Sequence, residues 1–368
     1  MNRCDEELVK KILADDTHAD IGGLEIGIKG LPDDEREGVL DKREFFIRNA
    51  IFAFQKMAPA QGFNVEMMRA ATKTQCLDVC RDEIKDSSFE ISSDGRQVTV
   101  YRYERADSVC AVRPVLIYIH GGSFMASAAK FYEQPCRLTA EQTGCVVLNI
   151  EYGLAPENRY PAAINDVISL VNYVYENAAE LGIDREKIGF FGDSAGANLA
   201  LAATIDNKSA AKVSYLGLFY PCVDLYAGDG LYEWNESDYS INDEERELIL
   251  SRLTLGRCDG KGNQALMAGI LMNYTGEKYE AVRKAPDVSP IYADLSGMPF
   301  TGIFSAEYDG LRIQTEYYAR LLKKAGVPFR FTRYRGVTHA FLDYFGIVPQ
   351  AEAAILEMCG QIREVWGI

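Results

Sequence analysis

The sequence predicts an α/β fold with a mostly parallel sheet that carries helices on both faces. After Pro114, short apolar runs alternate with amphipathic segments of helical periodicity, which is the order of strands and crossover helices in such folds. The runs are apolar along their whole length, as in strands that are buried on both faces of a sheet. The predicted strands are residues 115–119, 145–150, 188–191, 215–219, 300–304 and 329–334.

Three segments depart from this alternation and divide the chain. Residues 1–75 show helical patterning at 6–13 and 45–54, which predicts an accessory helical region. Residues 76–105 alternate apolar and polar positions around a Ser-Asp-Gly turn, which predicts an antiparallel hairpin. Residues 225–288 are polar and rich in tyrosine; we interpret them as an insertion over the carboxyl edge of the sheet, the alternative being a surface segment without function. The predicted core is therefore residues 76–224 and 289–368.

Composition and charge narrow the classes of partner. The chain has 368 residues, of which 48% are hydrophobic and 25% are charged, an ordinary balance for a globular protein. Its net charge of −15 disfavours nucleic acid and anionic membrane surfaces as partners. Charged residues follow the initial methionine instead of a leader-like apolar run, and no apolar run approaches the roughly 20 residues that span a bilayer. We therefore expect a cytoplasmic protein without a membrane span.

Cysteine and histidine usage bears on redox compartment and metal binding. The nine cysteines are an odd, scattered set, which predicts mostly free, buried thiols in a reducing compartment. Cys76 and Cys80 form the one close pair, but none of the three histidines lies near them. We therefore predict a strand with two structural thiols at this pair and no metal site.

The pentapeptide Gly-Asp-Ser-Ala-Gly at 192–196 carries the strongest indication of chemistry. It follows the predicted strand 188–191 and precedes an apolar helical segment at 197–203, which is the context of a nucleophilic serine on a sharp strand-to-helix turn. Such a turn strains the backbone and brings the helix close to neighbouring strands, so glycine is favoured at both ends. We predict that Ser194 is the nucleophile of an acyl transfer.

Acyl transfer by serine needs a base within hydrogen-bond reach of the nucleophile. His18 lies in the accessory helical region beside acidic residues, and His120 belongs to a glycine-rich loop. His339 follows the last predicted strand, at the edge of the sheet where the carboxyl ends of the strands meet. His339 is therefore the predicted base, and His120 is predicted to brace its loop.

The base in turn needs an acid that orients it. Asp309 is the predicted acid because it falls in the turn past the strand 300–304, one crossover helix and one strand before His339. The chain order of serine, aspartate and histidine is that of hydrolases with this kind of nucleophile turn. Glu307 and Asp343 remain alternatives.

Main-chain N–H groups are the expected donors to the oxyanion that forms during acyl transfer. One donor should come from Ala195, directly after the nucleophile, and others from a loop after an earlier strand. The loop 120–124 (His-Gly-Gly-Ser-Phe) follows the strand 115–119, and its paired glycines allow a substrate oxygen to approach the backbone. We therefore predict that Gly121 and Gly122 belong to the oxyanion hole.

Taken together, these motifs make the chain similar to the hormone-sensitive-lipase group of α/β-hydrolase esterases, over roughly residues 80–368. The resemblance implies the α/β-hydrolase fold with an eight-stranded sheet, a helical cap formed by residues 1–75 and 225–288, and ester hydrolysis without a cofactor. It places the oxyanion donors at the N–H groups of Gly122, Ser123 and Ala195, and it makes a homodimer plausible. The matching motifs are 120–124, 151–157 (Glu-Tyr-Gly-Leu-Ala-Pro-Glu), 192–196, 287–290 (Asp-Val-Ser-Pro), the Asp309 turn and 339–341 (His-Ala-Phe).

Four positions depart from the pattern of this group. Ser123 replaces the usual third glycine of its loop, which keeps a backbone donor but adds a side chain that restricts bulky alcohol groups. Gly153 stands where an arginine is common, Gly310 where proline is common, and Ile313 where a second aspartate often occurs. These changes affect supporting contacts more than the chemistry.

The function predicted from these residues is that of a serine carboxylesterase that hydrolyses short-chain acyl esters of small molecules through an acyl-enzyme. One alternative is a non-catalytic ligand receptor on the same fold, although such proteins usually lose the base. A second alternative is an amidase or peptidase with the same three residues.

Overall fold

The computed structural model of the chain describes residues 3–57, 64–71, 76–107, 112–206, 213–225, 230–253 and 264–368. Within these residues, ten strands form a single sheet. The strands are β1 (His18–Ile21), β2 (Leu24–Lys29), β3 (Ile84–Ser93), β4 (Arg96–Arg105), β5 (Arg113–Ile119), β6 (Val146–Ile150), β7 (Ile183–Asp193), β8 (Val213–Phe219), β9 (Phe300–Tyr308) and β10 (Phe329–Thr338). Their order across the sheet is β1-β2-β10-β9-β8-β7-β5-β6-β4-β3.

The centre of the sheet is parallel, as predicted. Strands β10, β9, β8, β7, β5 and β6 pair side by side in one direction. Strands β3 and β4 form the predicted antiparallel hairpin, and β4 also pairs antiparallel with β6. The six predicted strands are confirmed, although β7, β9 and β10 extend further than the apolar runs indicate.

The number of strands differs from the eight that the resemblance implies. The two additional strands, β1 and β2, come from the N-terminal region, where the sequence predicts helices. Strand β2 pairs in parallel with β10, with Gly27 aligned to Thr332. This pairing covers an edge of β10 that would otherwise present unpaired N–H and C=O groups.

Helices cover both faces of the sheet. On one face, the side chains of Ile117 and Leu218 pack with the helices Ala162–Glu176, Ala195–Ile205 and Arg312–Lys324. On the other face, Leu116 and Phe219 pack with the helices Glu6–Leu13, Glu133–Thr143 and Pro349–Trp366. No helix of the described residues is long and apolar enough to cross a bilayer. The helices are α1 (Glu6–Leu13), α2 (Lys42–Met57), α3 (Val65–Ala71), α4 (Glu133–Thr143), α5 (Ala162–Glu176), α6 (Ala178–Leu181), α7 (Ala195–Ile205), α8 (Arg246–Leu253), α9 (Gln264–Thr275), α10 (Tyr279–Val282), α11 (Arg312–Lys324) and α12 (Pro349–Trp366).

The strand predicted at Cys76 and Cys80 is absent. Both residues lie in an irregular segment before β3, and both are half-buried. The N–H of Leu77, between them, donates to the carbonyl of Phe345 at 2.9 Å, so the backbone of this segment bonds to the loop before α12 and not to the sheet.

Candidate active site

The carboxyl ends of four parallel strands in the centre of the sheet bring the predicted site residues together. Ser194 follows the last residue of β7, Asp309 follows β9, and His339 follows β10. His120, which begins the glycine-rich loop, follows β5. Because β7 lies beside β5 and β10 lies beside β9, residues that are distant in sequence meet at one edge of the sheet.

The backbone at Ser194 has the strained geometry expected of a sharp strand-to-helix turn. Ser194 has a φ of 52°, in a region that L-residues rarely adopt. A Cβ atom added to Gly192 or Gly196 would collide with the carbonyl oxygen of Ile119 at the end of β5. The two glycines are therefore needed for the close approach of α7 to β5, which leaves the serine at the start of the helix.

Ser194, His339 and Asp309 form a continuous hydrogen-bonded relay. Ser194 Oγ lies 2.9 Å from His339 Nε2, and His339 Nδ1 lies 2.8 Å from Asp309 Oδ2. The Asp309 side chain is 1% exposed and the His339 side chain is 22% exposed, so the aspartate is buried whereas the histidine is partly accessible. A neutral imidazole that donates to Asp309 through Nδ1 presents an acceptor, Nε2, to the serine.

The two alternative acids have other partners. Glu307 accepts a hydrogen bond from the N–H of Gly336 at 2.8 Å. Asp343 accepts one from the hydroxyl of Tyr132 at 2.8 Å. Neither carboxylate bonds to the His339 ring among the described residues, so the geometry favours Asp309.

The glycine-rich loop corrects one of the predicted donors. The N–H of Gly121 donates to Asp193 Oδ1 at 2.7 Å, so it is committed to that carboxylate and is not a donor to a substrate. Gly122 has a φ of 113° and Ser123 a φ of 55°, and the carbonyl of Gly122 closes a turn by accepting the N–H of Ala126 at 2.9 Å. The N–H groups of Gly122 and Ser123 therefore stay the predicted donors of this loop.

Sequence reasoning did not identify Asp193 as a functional residue. Its side chain is buried and accepts hydrogen bonds from the Tyr118 hydroxyl at 2.6 Å and from the N–H of Gly121 at 2.7 Å. Burial raises the pKa of Asp193 to about 7, although both hydrogen bonds act in the opposite direction. A charged residue at the end of a strand that is buried on both faces is the signal that could have revealed it.

His120 braces its loop, as predicted. Its ring is fully buried, lies 4.3 Å from the ring of Tyr152 and donates through Nδ1 to the carbonyl of Gly121 at 2.7 Å. Burial lowers the pKa of His120 to about 4. The ring is therefore neutral near pH 7 and holds no proton for catalysis.

Helix α2 reaches the loop of the candidate base through a buried ion pair. Arg48 Nε donates to Glu44 Oε1 at 2.8 Å, and Arg48 Nη2 donates to the carbonyl of His339 at 2.8 Å. The same Glu44 oxygen accepts the hydroxyl of Thr338 at 2.6 Å. Two side chains of α2 therefore bond to consecutive residues at the end of β10: Glu44 bonds to Thr338, and Arg48 bonds to the carbonyl of His339.

Helix α3 reaches the glycine-rich loop in a similar way. Arg69 Nε donates to the carbonyl of Met125 at 2.8 Å, and Nη2 donates to the carbonyl of Ala155 at 3.0 Å. The guanidinium also forms a two-pronged ion pair with Glu157. Arg69 thereby links the loops that follow β5 and β6.

The insertion contacts the turn of the candidate acid. The Tyr239 hydroxyl donates to the carbonyl of Asp309 at 3.2 Å, and the Tyr308 hydroxyl donates to the carbonyl of Ser240 at 2.9 Å. Ile313, where an aspartate is common, packs against an apolar cluster that includes Tyr239 and Ile249 of the insertion. The apolar side chain at 313 therefore packs against the insertion.

The departure at Gly153 is compensated from another strand. Arg96, at the start of β4, places Nη2 2.7 Å from Asp166 Oδ1, and the N–H of Gly153 donates to the other oxygen of Asp166 at 2.9 Å. A Cβ atom at Gly153 would lie 2.5 Å from Arg96 Nη1. Arg96 thus supplies a guanidinium at the position that an arginine at 153 would otherwise approach.

Aromatic side chains form a wall beside the glycine-rich loop. The rings of Phe124 and Tyr274 stack with centroids 3.9 Å apart, and Tyr160 packs its edge against Tyr274. Tyr274 belongs to α9 of the insertion, whereas Phe124 ends the loop motif. Among the described residues, no group of three or more His, Cys, Asp or Glu side chains could hold a metal ion.

Comparison with known proteins agrees with this geometry. A family model described as the alpha/beta hydrolase fold matches residues 116–343, and the chain belongs to that family. An arylesterase of Saccharolobus solfataricus is 32% identical over 256 residues, which are 67% of this chain and 73% of the relative. An acetyl esterase of Salmonella schwarzengrund is 31% identical over 246 residues, which are 66% of this chain and 69% of the relative.

Solved structures give the same result. A hyperthermophilic esterase from Pyrobaculum calidifontis superposes with a TM-score of 0.69 and 26% identity, covering 90% of this chain and 100% of that one. A thermostable carboxylesterase from a metagenomic library superposes with a TM-score of 0.64 and 27% identity, covering 82% of this chain and 93% of that one. The chain is a carboxylic ester hydrolase with the α/β-hydrolase fold.

Proposed function

We propose that this chain hydrolyses short-chain carboxylic esters with Ser194 as the nucleophile, His339 as the base and Asp309 as the acid that orients the base. The observation that carries the proposal is the relay of 2.9 Å from Ser194 Oγ to His339 Nε2 and 2.8 Å from His339 Nδ1 to Asp309 Oδ2. The same contacts disfavour a non-catalytic receptor, because such a protein has no need of a base hydrogen-bonded to a serine.

In the first half of the reaction, Ser194 Oγ attacks the ester carbonyl while His339 Nε2 accepts the serine proton. Asp309 stabilises the imidazolium and holds the ring orientation. The N–H groups of Gly122, Ser123 and Ala195 stabilise the oxyanion, and losing one such donor typically costs about 3 kcal/mol. The imidazolium then protonates the departing alcohol, and water releases the acid by the same steps through the acyl-enzyme.

Residues 1–75 and 225–288 form the cap over this site in our proposal. Three contacts support it: Arg48 of α2 bonds to the His339 loop, Arg69 of α3 bonds to the glycine-rich loop, and Tyr239 of the insertion bonds to the Asp309 turn. The stacked rings of Phe124 and Tyr274 would bound the acyl group, which favours short chains. The acetyl esterase name of a relative agrees with that preference.

A series of p-nitrophenyl esters from C2 to C12, assayed with the wild-type chain and with Ser194→Ala, tests the proposal. We expect kcat/KM of the wild type to fall sharply beyond C4 to C6, and Ser194→Ala to lose hydrolysis at every length. Undiminished turnover by Ser194→Ala would overturn the assignment of the nucleophile. A rise in kcat/KM toward C12 would overturn the short-chain preference alone.

A cytoplasmic location and a homodimer stay predictions. The buried thiols of Cys4, Cys136, Cys145 and Cys359 form no disulfide, which is compatible with a reducing compartment.

A further inference from the structure

We propose that Arg252, on helix α8 of the insertion, binds a carboxylate on the alcohol portion of the ester, so that this hydrolase prefers esters of carboxylate-bearing alcohols or phenols. The inference rests on the proposed function, because it concerns the substrate of the same site.

Arg252 lies on the inward side of its helix. It follows the buried residues Leu248 and Ile249 by one helical turn, and residues three or four positions apart lie on the same face of a helix. These side chains pack in the apolar cluster that contains Tyr308, the residue directly before Asp309. Helix α8 therefore turns Arg252 toward the region between α2 and the catalytic acid.

Within the part of the chain that the structure describes, the guanidinium of Arg252 has no hydrogen-bond or ion-pair partner. Its Nε–H is buried without a hydrogen-bond acceptor among the described residues, and no ion pair of Arg252 with those residues is found. The side chain as a whole is half-buried, and neither Nη atom is among the buried unpartnered atoms, so the tip of the guanidinium faces accessible space. An arginine that is partly desolvated and unpaired is the arrangement that a bound anion would complete.

The two neighbouring arginines, Arg48 and Arg312, differ from Arg252 because each has ion-pair and hydrogen-bond partners, although Arg312 Nε also lacks a hydrogen-bond acceptor. Arg48 donates to Glu44, to the Tyr344 hydroxyl and to the carbonyl of His339. Arg312 pairs with Glu316 and donates to the carbonyl of Asp238. Of these three arginines, Arg252 alone forms neither an ion pair nor a hydrogen bond with the described residues.

Arg252 keeps its charge at neutral pH. Burial and the nearby charge of Arg48 lower the pKa of Arg252 to about 10, which leaves the guanidinium cationic near pH 7. Glu44, Tyr344 and Asp309 act on it electrostatically but do not bond to it. The planar fork of a guanidinium matches the two oxygens of a carboxylate, which makes a carboxylate the preferred ligand over a single-point anion.

The neighbours of Arg252 also indicate which portion of the ester it meets. His339 Nε2 delivers its proton to the departing alcohol, so the alcohol portion lies on the His339 side of Ser194. Arg48 bonds to His339, and Asp309 bonds to its ring, so the electrostatic neighbours of Arg252 lie on that same side.

The test compares 4-acetoxybenzoate, whose leaving phenol carries a carboxylate, with its neutral methyl ester, methyl 4-acetoxybenzoate. The acyl group is the same in both, so the ratio of their kcat/KM values isolates recognition of the carboxylate. We expect Arg252→Met to lower this ratio at least tenfold, and Arg252→Lys, which keeps the charge without the fork, to lower it less. The ratio cancels any loss that is common to both substrates.

Arg246→Met is the matched control, because Arg246 lies on the same helix but is exposed and pairs with Glu236. We expect the control to keep the wild-type ratio. An unchanged ratio in Arg252→Met, an equal loss on both substrates, or the same loss in Arg246→Met would overturn the role of Arg252. Failure of the proposed function itself looks different: the wild type would then not hydrolyse the neutral ester, or Ser194→Ala would hydrolyse it equally well.

Discussion

At the scale of single residues, Asp193 links the turn of Ser194 to the loop that we propose supplies the oxyanion donors. It precedes Ser194 in sequence, and its carboxylate holds the N–H of Gly121, one residue before the proposed donor Gly122. A Cβ atom at Gly121 would collide with that carboxylate, so only glycine permits the contact. The position of the donors thus depends on a side chain that does not touch the substrate.

The titration of Asp193 predicts a pH effect on stability. Its pKa is about 7 in the folded chain, against a value of 3.8 for an unperturbed carboxyl. Between these values the folded chain retains a proton that the unfolded chain has lost, so raising the pH through this window lowers the free energy of unfolding by up to about 1.4 kcal/mol per pH unit. Asp193→Asn removes this contribution.

Urea unfolding at several pH values between 4 and 8 measures the effect as the difference between the wild type and Asp193→Asn. We expect the difference to change across the window and to level off above pH 7. Unfolding free energies that run parallel at every pH would contradict the raised pKa. The activity of Asp193→Asn should also fall, because the loop loses the carboxylate that holds Gly121.

The sequence predicts Ser194 and His339 for clear reasons, and it does not predict Asp193. A strained turn requires glycines that are visible in the sequence, and three histidines leave few choices of base. The hydrogen bond from the Gly121 N–H to Asp193 is not predictable in this way, because it depends on which acceptor lies nearby in space. Asp193 and Gly121 are 72 positions apart, and no local pattern records their contact.

At the scale of elements, the contact between β4 and the loop after β6 explains how the chain tolerates Gly153. Arg96 pairs with the fully buried side chain of Asp166, and it occupies the space into which a side chain at 153 would extend. We predict that Arg96→Met destabilises the fold by about 2 kcal/mol, because a buried carboxylate loses its charged partner. Gly153→Arg alone should also destabilise it, through collision with Arg96.

The double variant Gly153→Arg with Arg96→Met should be more stable than the sum of the two single effects predicts. In the double variant, the arginine introduced at 153 can occupy the space that Arg96 leaves and pair with Asp166 in its place. A double-mutant cycle of chemical denaturation measures this coupling, and we expect a favourable value of about 1–2 kcal/mol. Strictly additive effects would show that the two positions do not exchange roles.

The hairpin of β1 and β2 is the element that the sequence does not predict. Its strands have four and six residues, and only Leu24 and Ile26 are buried, so the alternation is too short to stand out from the helical patterning around it. The strand is stabilised by tertiary pairing with β10. In contrast, the central strands are buried on both faces, so they are recognisable in the sequence as continuous apolar runs.

At the scale of the whole molecule, each segment proposed as cap contacts a different part of the site. Helix α2 bonds to the loop of the base, α3 to the loop of the oxyanion donors, and the insertion to the turn of the acid. The sequence indicates that these segments lie outside the alternating core, but not what they contact, because the partners are far apart in the chain. Arg48 and His339, for example, are 291 positions apart.

The last prediction concerns the buried pair of Glu44 and Arg48, which joins α2 to the end of β10. Arg48→Met leaves the Glu44 carboxylate buried without its cation, and breaking a buried pair in this way typically costs about 3–5 kcal/mol. The double variant Glu44→Gln with Arg48→Met removes the uncompensated charge, so we expect it to regain part of that stability. Both variants lose the hydrogen bond to the carbonyl of His339, so both should have a lower kcat for p-nitrophenyl acetate. Denaturation and steady-state kinetics on the two variants separate these effects. A double variant as unstable as the single one would show that the charge of Glu44 is not what destabilises the chain. An unchanged kcat would show that α2 does not position the base.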